Sequence, residues 1–208
     1  MNFKVCGIRE PAMLHQLDRM MVDYAGFCFD ENRPDEDGFA IQSDVIRYAE
    51  SNMMKVGVFQ DQRTDFIEHI MEEYGLNMIQ FNGKETVKTC RQFSQQFELI
   101  KKINMDVPLV HSIQEQIHLF DEVCDYFLFE VHPSFKQVIF EQIFPQLHIE
   151  KPFFIGGDLK SSDAVFFHQF QHPDFFGLDL GACFLQTDGK PDTARIITFM
   201  RAVNQVDN

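Results

Sequence analysis

Eight times in 208 residues a short apolar run gives way to an amphipathic stretch, and that alternation admits few architectures. The strand candidates are Phe3–Gly7, Tyr24–Phe29, Met54–Phe59, Asn77–Phe81, Glu98–Ile103, Asp125–Val131, Pro152–Ile155 and Phe175–Leu180. The helix candidates between and after them are Pro11–Met21, Ser43–Asn52, Thr64–Tyr74, Glu85–Phe93, Ile113–Glu122, Lys136–Phe144, Ser162–Phe170 and Asp192–Val203. Thr64 to Met71 carries the apolar i, i+3, i+4 spacing of a half-buried helix, and Gly75 follows it as a stop. Ser161-Ser162-Asp163 and Asp192-Thr193 read as helix caps. Alternation alone permits an open doubly wound sheet, but eight units favour closure. At 208/8 = 26 residues per unit the chain is compact for a (β/α)8 TIM barrel, whose typical length is roughly 250 residues. No linker, repeat or low-complexity segment divides it, so residues 1–208 read as one barrel domain.

Charge narrows the partners. A formal net charge of −14 argues against nucleic acid and against anionic membranes, both of which need basic patches. No apolar stretch approaches the roughly 18 residues of a membrane span. The five cysteines form no Cys-x-x-Cys pair and no zinc spacing with histidine, so no metal site is expected. Their odd number, with no apolar leader at the start, points to a reducing, cytoplasmic setting. Phenylalanine is abundant at 24 residues with no tryptophan, so phenylalanine is expected to fill the core.

Two places in this pattern invite chemistry. Cys6 ends the first strand, and strand ends at the carboxyl rim are where such barrels place catalytic groups. Most free cysteines are merely small buried hydrophobes. Lys4, however, shares the parity of Cys6 and is expected one layer below it, where an ammonium would favour a thiolate. In the fifth strand Lys101 and Lys102 are adjacent, so one must point into the barrel. A buried lysine without a partner is costly, so it should face a carboxylate or a ligand.

Read together, a series of short motifs resembles the phosphoribosylanthranilate isomerases, (β/α)8 enzymes of tryptophan biosynthesis. Lys4-Val5-Cys6-Gly7-Ile8-Arg9 is similar to that family's opening strand. Ala25-Gly26-Phe27-Cys28-Phe29 and Lys55-Val56-Gly57-Val58-Phe59 match its second and third strands, and Gln80-Phe81-Asn82-Gly83 stands where it reads Gln-Leu-His-Gly. Cys90-Arg91, Phe154-Ile155-Gly156-Gly157 and Gly189-Lys190-Pro191-Asp192 continue the likeness in order to the last helix.

The resemblance implies an Amadori rearrangement of a phosphoribosyl amine of anthranilate to a 1-deoxyribulose phosphate, with no cofactor and no metal. A carboxylic acid opens the furanose ring and a cysteine thiolate takes the C2′ proton. Carried over, Cys6 is the base, and Glu130 stands in the place of the family's aspartate acid in Phe127-Leu128-Phe129-Glu130. Burial beside Phe127, Phe129 and Phe135 is expected to keep Glu130 protonated. Arg33, Gln80, Asn82 and Asp179 are the implied substrate-binding residues, and Gly156, Gly157, Gly181 and Ala182 the implied phosphate-binding ones.

The departures cluster at the substrate. The glycine-rich loop after strand 6 is replaced by His132-Pro133-Ser134-Phe135-Lys136. The Ser-Ser-Gly turn after strand 8 is replaced by Gly181-Ala182-Cys183, and the loop after strand 2 carries Asp30-Glu31 before Arg33. The implied partner is a small phosphorylated substrate handled by a monomer or homodimer. A relative that acts on or binds a different phosphorylated molecule, or a non-catalytic one, is the alternative.

Overall fold

The computed structural model describes residues 1–30, 42–106, 108–181, 184–187 and 190–204. Eight parallel strands close into a barrel in chain order. They are β1 Asn2–Cys6, β2 Tyr24–Cys28, β3 Met54–Phe59, β4 Met78–Phe81, β5 Glu98–Asn104, β6 Tyr126–Val131, β7 Phe153–Gly157 and β8 Phe175–Leu180. The helices outside them are α1 Pro11–Arg19, α2 Ser43–Arg47, α3 Thr64–Tyr74, α4 Val87–Phe93, α5 Val110–Phe120, α6 Lys136–Val138, α7 Ala164–Gln169 and α8 Thr193–Asn204. The expected order of elements is therefore observed, and the open-sheet alternative is excluded by pairing of β1 with β8.

Where helices differ from expectation, a side chain or a proline explains it. The stretch Ser43–Asn52 stops at Arg47 because the Lys55 ammonium, 2.6 Å from the Ile46 carbonyl and 3.2 Å from that of Arg47, takes the carbonyls a longer helix would use. Burial lowers the pKa of Lys55. The stretch Lys136–Phe144 is not one regular helix: after α6 it widens into a π-turn, Ile139–Ile143, and ends in a 3-10 turn, Phe144–Gln146. Pro145 has no N–H to continue the ladder and its ring crowds the carbonyl four residues earlier. Before α7, the Asp163 carboxylate turns back to the Lys160 N–H, so the cap lies one residue earlier than Ser161. Asp192 caps α8 through the Arg195 N–H at 3.1 Å, and Gly75 ends α3 with φ of 60°.

Strand alternation splits the core in two. Outward residues pack under the helices in one large cluster, and a smaller cluster around Val56, Ile100, Leu128 and Phe154 fills the barrel. Phenylalanine builds much of the outer wall: Phe129, Phe144, Phe153, Phe170 and Phe175 meet edge-on, tilted or, for Phe144 on Phe153, stacked, at centroid distances of 5.0–5.9 Å. Following the strand register and advancing one residue per strand, as the barrel's shear requires, sorts the interior into layers. Tyr24, Met78, Tyr126 and Phe176 close the amino-terminal end. Above them lie Lys4, Val56, Ile100 and Phe154, then Gly26, Gln80, Leu128 and Asp179. Cys6, Val58, Lys102 and Gly156 follow, and Cys28, Asn82, Glu130 and Gly181 ring the carboxyl-terminal mouth. A register shift where β7 meets β8 lets both Phe176 and Asp179 face inward although three positions separate them. Apart from Lys4 the lower layers are largely apolar and full; glycines in the upper ones open the mouth.

Outside the barrel, the second lysine of β5 does structural work. Lys101 is 3% exposed, lies 2.8 Å from the Glu85 carboxylate and 2.6 Å from the Gly83 carbonyl, and sits over the Phe120 ring. Glu85 also accepts from the Asp61 N–H at 2.9 Å, so this pair pins the loops after β3 and β4. Glu85→Ala strands a buried ammonium and is expected to cost about 3–5 kcal/mol by chemical denaturation. A loss below about 1 kcal/mol would show that the pair is not needed.

Candidate active site

The site is built from strand ends. Lys4 is fully buried, and its Nζ lies 2.6 Å from Sγ of Cys6 and 3.2 Å from Oδ2 of Asp179. Burial opposes the charge, but Asp179 and Cys6 outweigh it, and the pKa of Lys4 is raised above its ordinary value. The expectation that Lys4 lies below Cys6 is met.

Cys28 is the residue that inspection of the sequence missed. Cys6 pairs in register with Gly26, and Cys28 is the next inward residue of β2. A methyl on Gly26 would come within 2.5 Å of Sγ of Cys6, so only glycine leaves the thiol room there. The two thiols are hydrogen bonded. That bond raises the pKa of Cys6, with burial and Asp179 adding to it and Lys4 opposing. The same bond lowers that of Cys28. The pair loses its first proton readily and its second with difficulty. Shared parity of Cys6 and Cys28 was the available signal, but it points at contact only once the register of β1 on β2 is known.

Across the mouth, Glu130 projects from β6 and accepts from the Lys102 ammonium at 2.9 Å. The inward lysine of the adjacent pair is thus Lys102, and it does face a carboxylate. The expected burial of Glu130 beside phenylalanines is corrected: Phe127 and Phe129 lie on the outer face of the same strand, and the Glu130 side chain is 46% exposed. Strand alternation sends neighbours to opposite faces.

Gln80 is buried and donates to Asn82 at 2.7 Å. Among the described residues, Oε1 of Gln80 and Oδ1 of Asp179 are the buried side-chain acceptors without a hydrogen-bond partner, and both belong to the layer beneath Cys6. A cavity of about 290 Å³ is lined by Leu128, Glu130, Gly157, Asp158, Asp179 and Gly181, among others. Gly157 has φ of 102°, which disfavours any side chain, and a methyl on Gly156 would come within 3.2 Å of Cβ of Asp179. Lys136 reaches the same rim, donating to the Asp158 carbonyl at 3.1 Å and pairing with Asp163. Arg33 and Ala182 lie outside the described residues. No group of three or more His, Cys, Asp or Glu among the described residues has the arrangement of a metal site. No helix among the described residues is long and apolar enough to cross a membrane.

A family model described as N-(5'phosphoribosyl)anthranilate (PRA) isomerase matches residues 3–202. The chain belongs to this isomerase family. A relative from Phocaeicola vulgatus, named N-(5'-phosphoribosyl)anthranilate isomerase, is 28% identical over 99% of this chain and 98% of its own. Among solved structures, the isomerase of Thermotoga maritima, described as mutually generated monomers of a dimeric enzyme, superposes with a TM-score of 0.77. It is 18% identical and covers 99% of this chain and 100% of its own. A second isomerase structure, in complex with reduced 1-(o-carboxyphenylamino)-1-deoxyribulose 5-phosphate, gives a TM-score of 0.75 at 18% identity, with 99% and 100% covered.

Removing Cys28 isolates its effect on the PRA isomerase thiol. Because the bond to Cys28 is the largest influence raising Cys6, Cys28→Val is expected to shift the pH profile of Cys6 alkylation to lower pH. A profile that stays in place would show that the two sulfurs do not share a proton, and one that moves upward would show that Cys28 donates to the Cys6 thiolate instead of holding the proton on Cys6.

Proposed function

We propose that Cys6 and Glu130 carry out PRA isomerisation, rearranging an aminoribose phosphate of anthranilate to the 1-deoxyribulose phosphate as a step of tryptophan biosynthesis. The observation that carries the assignment is the buried Lys4 ammonium 2.6 Å from Sγ of Cys6 at the barrel mouth. A thiol is a poor base at neutral pH unless its thiolate is stabilised. When the shared proton sits on Cys28, the thiolate of Cys6 lies against that ammonium, ready to take the C2′ proton.

Glu130 protonates the ring oxygen, the C1′–O4′ bond breaks, and the lone pair of the anthranilate nitrogen forms the iminium. Cys6 then removes the C2′ proton, and the enolamine passes to the ketone. The two open acceptors, Oε1 of Gln80 and Oδ1 of Asp179, suit ribose hydroxyls, which are donors. The substrate phosphate fits against Gly156, Gly157 and Gly181, where glycines permit close backbone approach and Lys136 lies on the rim. Asn82 rings the same mouth and is assigned to the substrate, as are Arg33 and, for the phosphate, Ala182.

Glutamate reaches about 1.5 Å further than aspartate, and a misplacement of that size can cost about 100-fold in rate. Activity is read from loss of anthranilate fluorescence with freshly made substrate. Cys6→Ser and Glu130→Gln are each expected to lower kcat by about 10² to 10⁴, with thermal midpoints near wild type, and Glu130→Asp to retain more than the Gln variant. An active wild type matched by Glu130→Gln would move the acid elsewhere. A wild type without turnover that still binds the substrate would favour a binding role.

A further inference from the structure

We propose that Lys102 supplies the proton that Glu130 delivers to the ring oxygen, so that the acid of this isomerase is a lysine–glutamate pair. The inference rests on the isomerase reading above. Its starting point is a contradiction in the site. A general acid must hold a proton when the substrate binds, yet Glu130 faces the Lys102 ammonium at 2.9 Å. In an ion pair the transferable proton is on nitrogen.

Among the described residues, the geometry gives that proton one side-chain acceptor, Glu130. Lys102 belongs to the layer of Cys6, on the strand opposite it, and its side chain is 14% exposed against 46% for Glu130. The lysine thus lies beneath the carboxylate, and the carboxylate lines the cavity. Glu130 is the hydrogen-bond acceptor seen for Nζ of Lys102. Structural need does not explain the residue, because the buried pair that ties the neighbouring loops uses Lys101 and Glu85 on the other face. Among the described residues, the other charged or titratable groups facing this space are Lys4 and Cys6 from β1, Cys28 from β2 and Asp179 from β8. Asp106, His132, Lys136 and Asp158 stand on the rim. Lys4 already engages Asp179 and Cys6, which leaves the Lys102–Glu130 pair to act by itself on the far wall.

The step balances. Nζ of Lys102 passes a proton to Oε2 of Glu130, giving a neutral amine and a carboxylic acid without change in net charge. The acid then protonates O4′ as the C1′–O4′ bond breaks, leaving a carboxylate beside an amine. The substrate has gained one proton at O4′ and next loses one from C2′ to Cys6. Ketonisation exchanges an O–H for a C–H, and solvent at the open mouth returns a proton to the amine while accepting one from the thiol.

The test measures kcat and KM of the full chain between pH 5 and 9 for wild type, Lys102→Arg, Lys102→Met and Glu130→Gln. Arginine keeps the charge and the pairing but does not release a proton. Lys102→Arg is therefore expected to keep KM near wild type and lose about 10² to 10⁴ in kcat. Lys102→Met leaves a bare carboxyl, and the basic limb of its kcat/KM profile is expected to move to lower pH by about one unit or more, with activity nearest wild type at the acid end. An arginine variant with wild-type kcat, or a methionine variant with an unshifted profile, would overturn the proposal. Circular dichroism checks folding. Should both variants unfold, wild type decides: a basic limb within the carboxylic-acid range, below about pH 6, overturns the proposal, and activity held above that range supports it. An inactive wild type, or Glu130→Gln as active as wild type, would sink the isomerase or acid reading and this proposal with it, and both are read independently of Lys102.

Discussion

A fully buried ammonium sits in the middle of this barrel, and the upper half of the interior is arranged to tolerate it. Lys4 is shut off from bulk solvent, so its charge needs acceptors within reach. Asp179 supplies a carboxylate from β8 and Cys6 its sulfur from β1. The contact with Asp179 crosses the seam where the last strand closes on the first, so the same charge that primes the thiol also ties the barrel shut. Asp179 faces inward only because β8 shifts register against β7.

The charges above and around Lys4 divide by face. Inward-pointing Lys102 meets Glu130 at the mouth, whereas its outward neighbour Lys101 meets Glu85 under the helices. Two adjacent lysines on one strand therefore serve two purposes, one chemical and one structural, because alternation sends them to opposite sides. Glycines do the complementary job. Gly26 leaves room for the Cys6 thiol, and Gly156, Gly157 and Gly181 keep open the cavity that a fully packed barrel would fill.

Much of this was legible in the chain. Periodicity located all eight strands and their helices, and parity alone placed Lys4 under Cys6 and one of the two β5 lysines inside. What remained hidden depends on contacts between distant segments. Cys28 meets Cys6 through the register of β1 on β2, which no local pattern specifies. The sequence neighbours of Glu130 imply an apolar setting, but those neighbours are on the other face. Alternation counted from Phe176 would turn Asp179 outward, and only the β7–β8 irregularity corrects it. The broken α6 region follows from Pro145, whose effect on the preceding turn is visible in sequence once the helix is expected to run up to it.

The central claim is electrostatic: the Lys4 ammonium lowers the cost of ionising Cys6 against the hydrogen bond with Cys28 that holds the proton on it, against burial and against Asp179. The direct measurement is the pH dependence of Cys6 alkylation in Lys4→Met against wild type, with the barrel verified by circular dichroism. Loss of the ammonium, which also leaves Asp179 uncompensated beside the thiol, is expected to move the profile to higher pH by about one unit or more. A folded Lys4→Met protein whose thiol reacts with an unchanged profile, or at lower pH than wild type, would contradict the account.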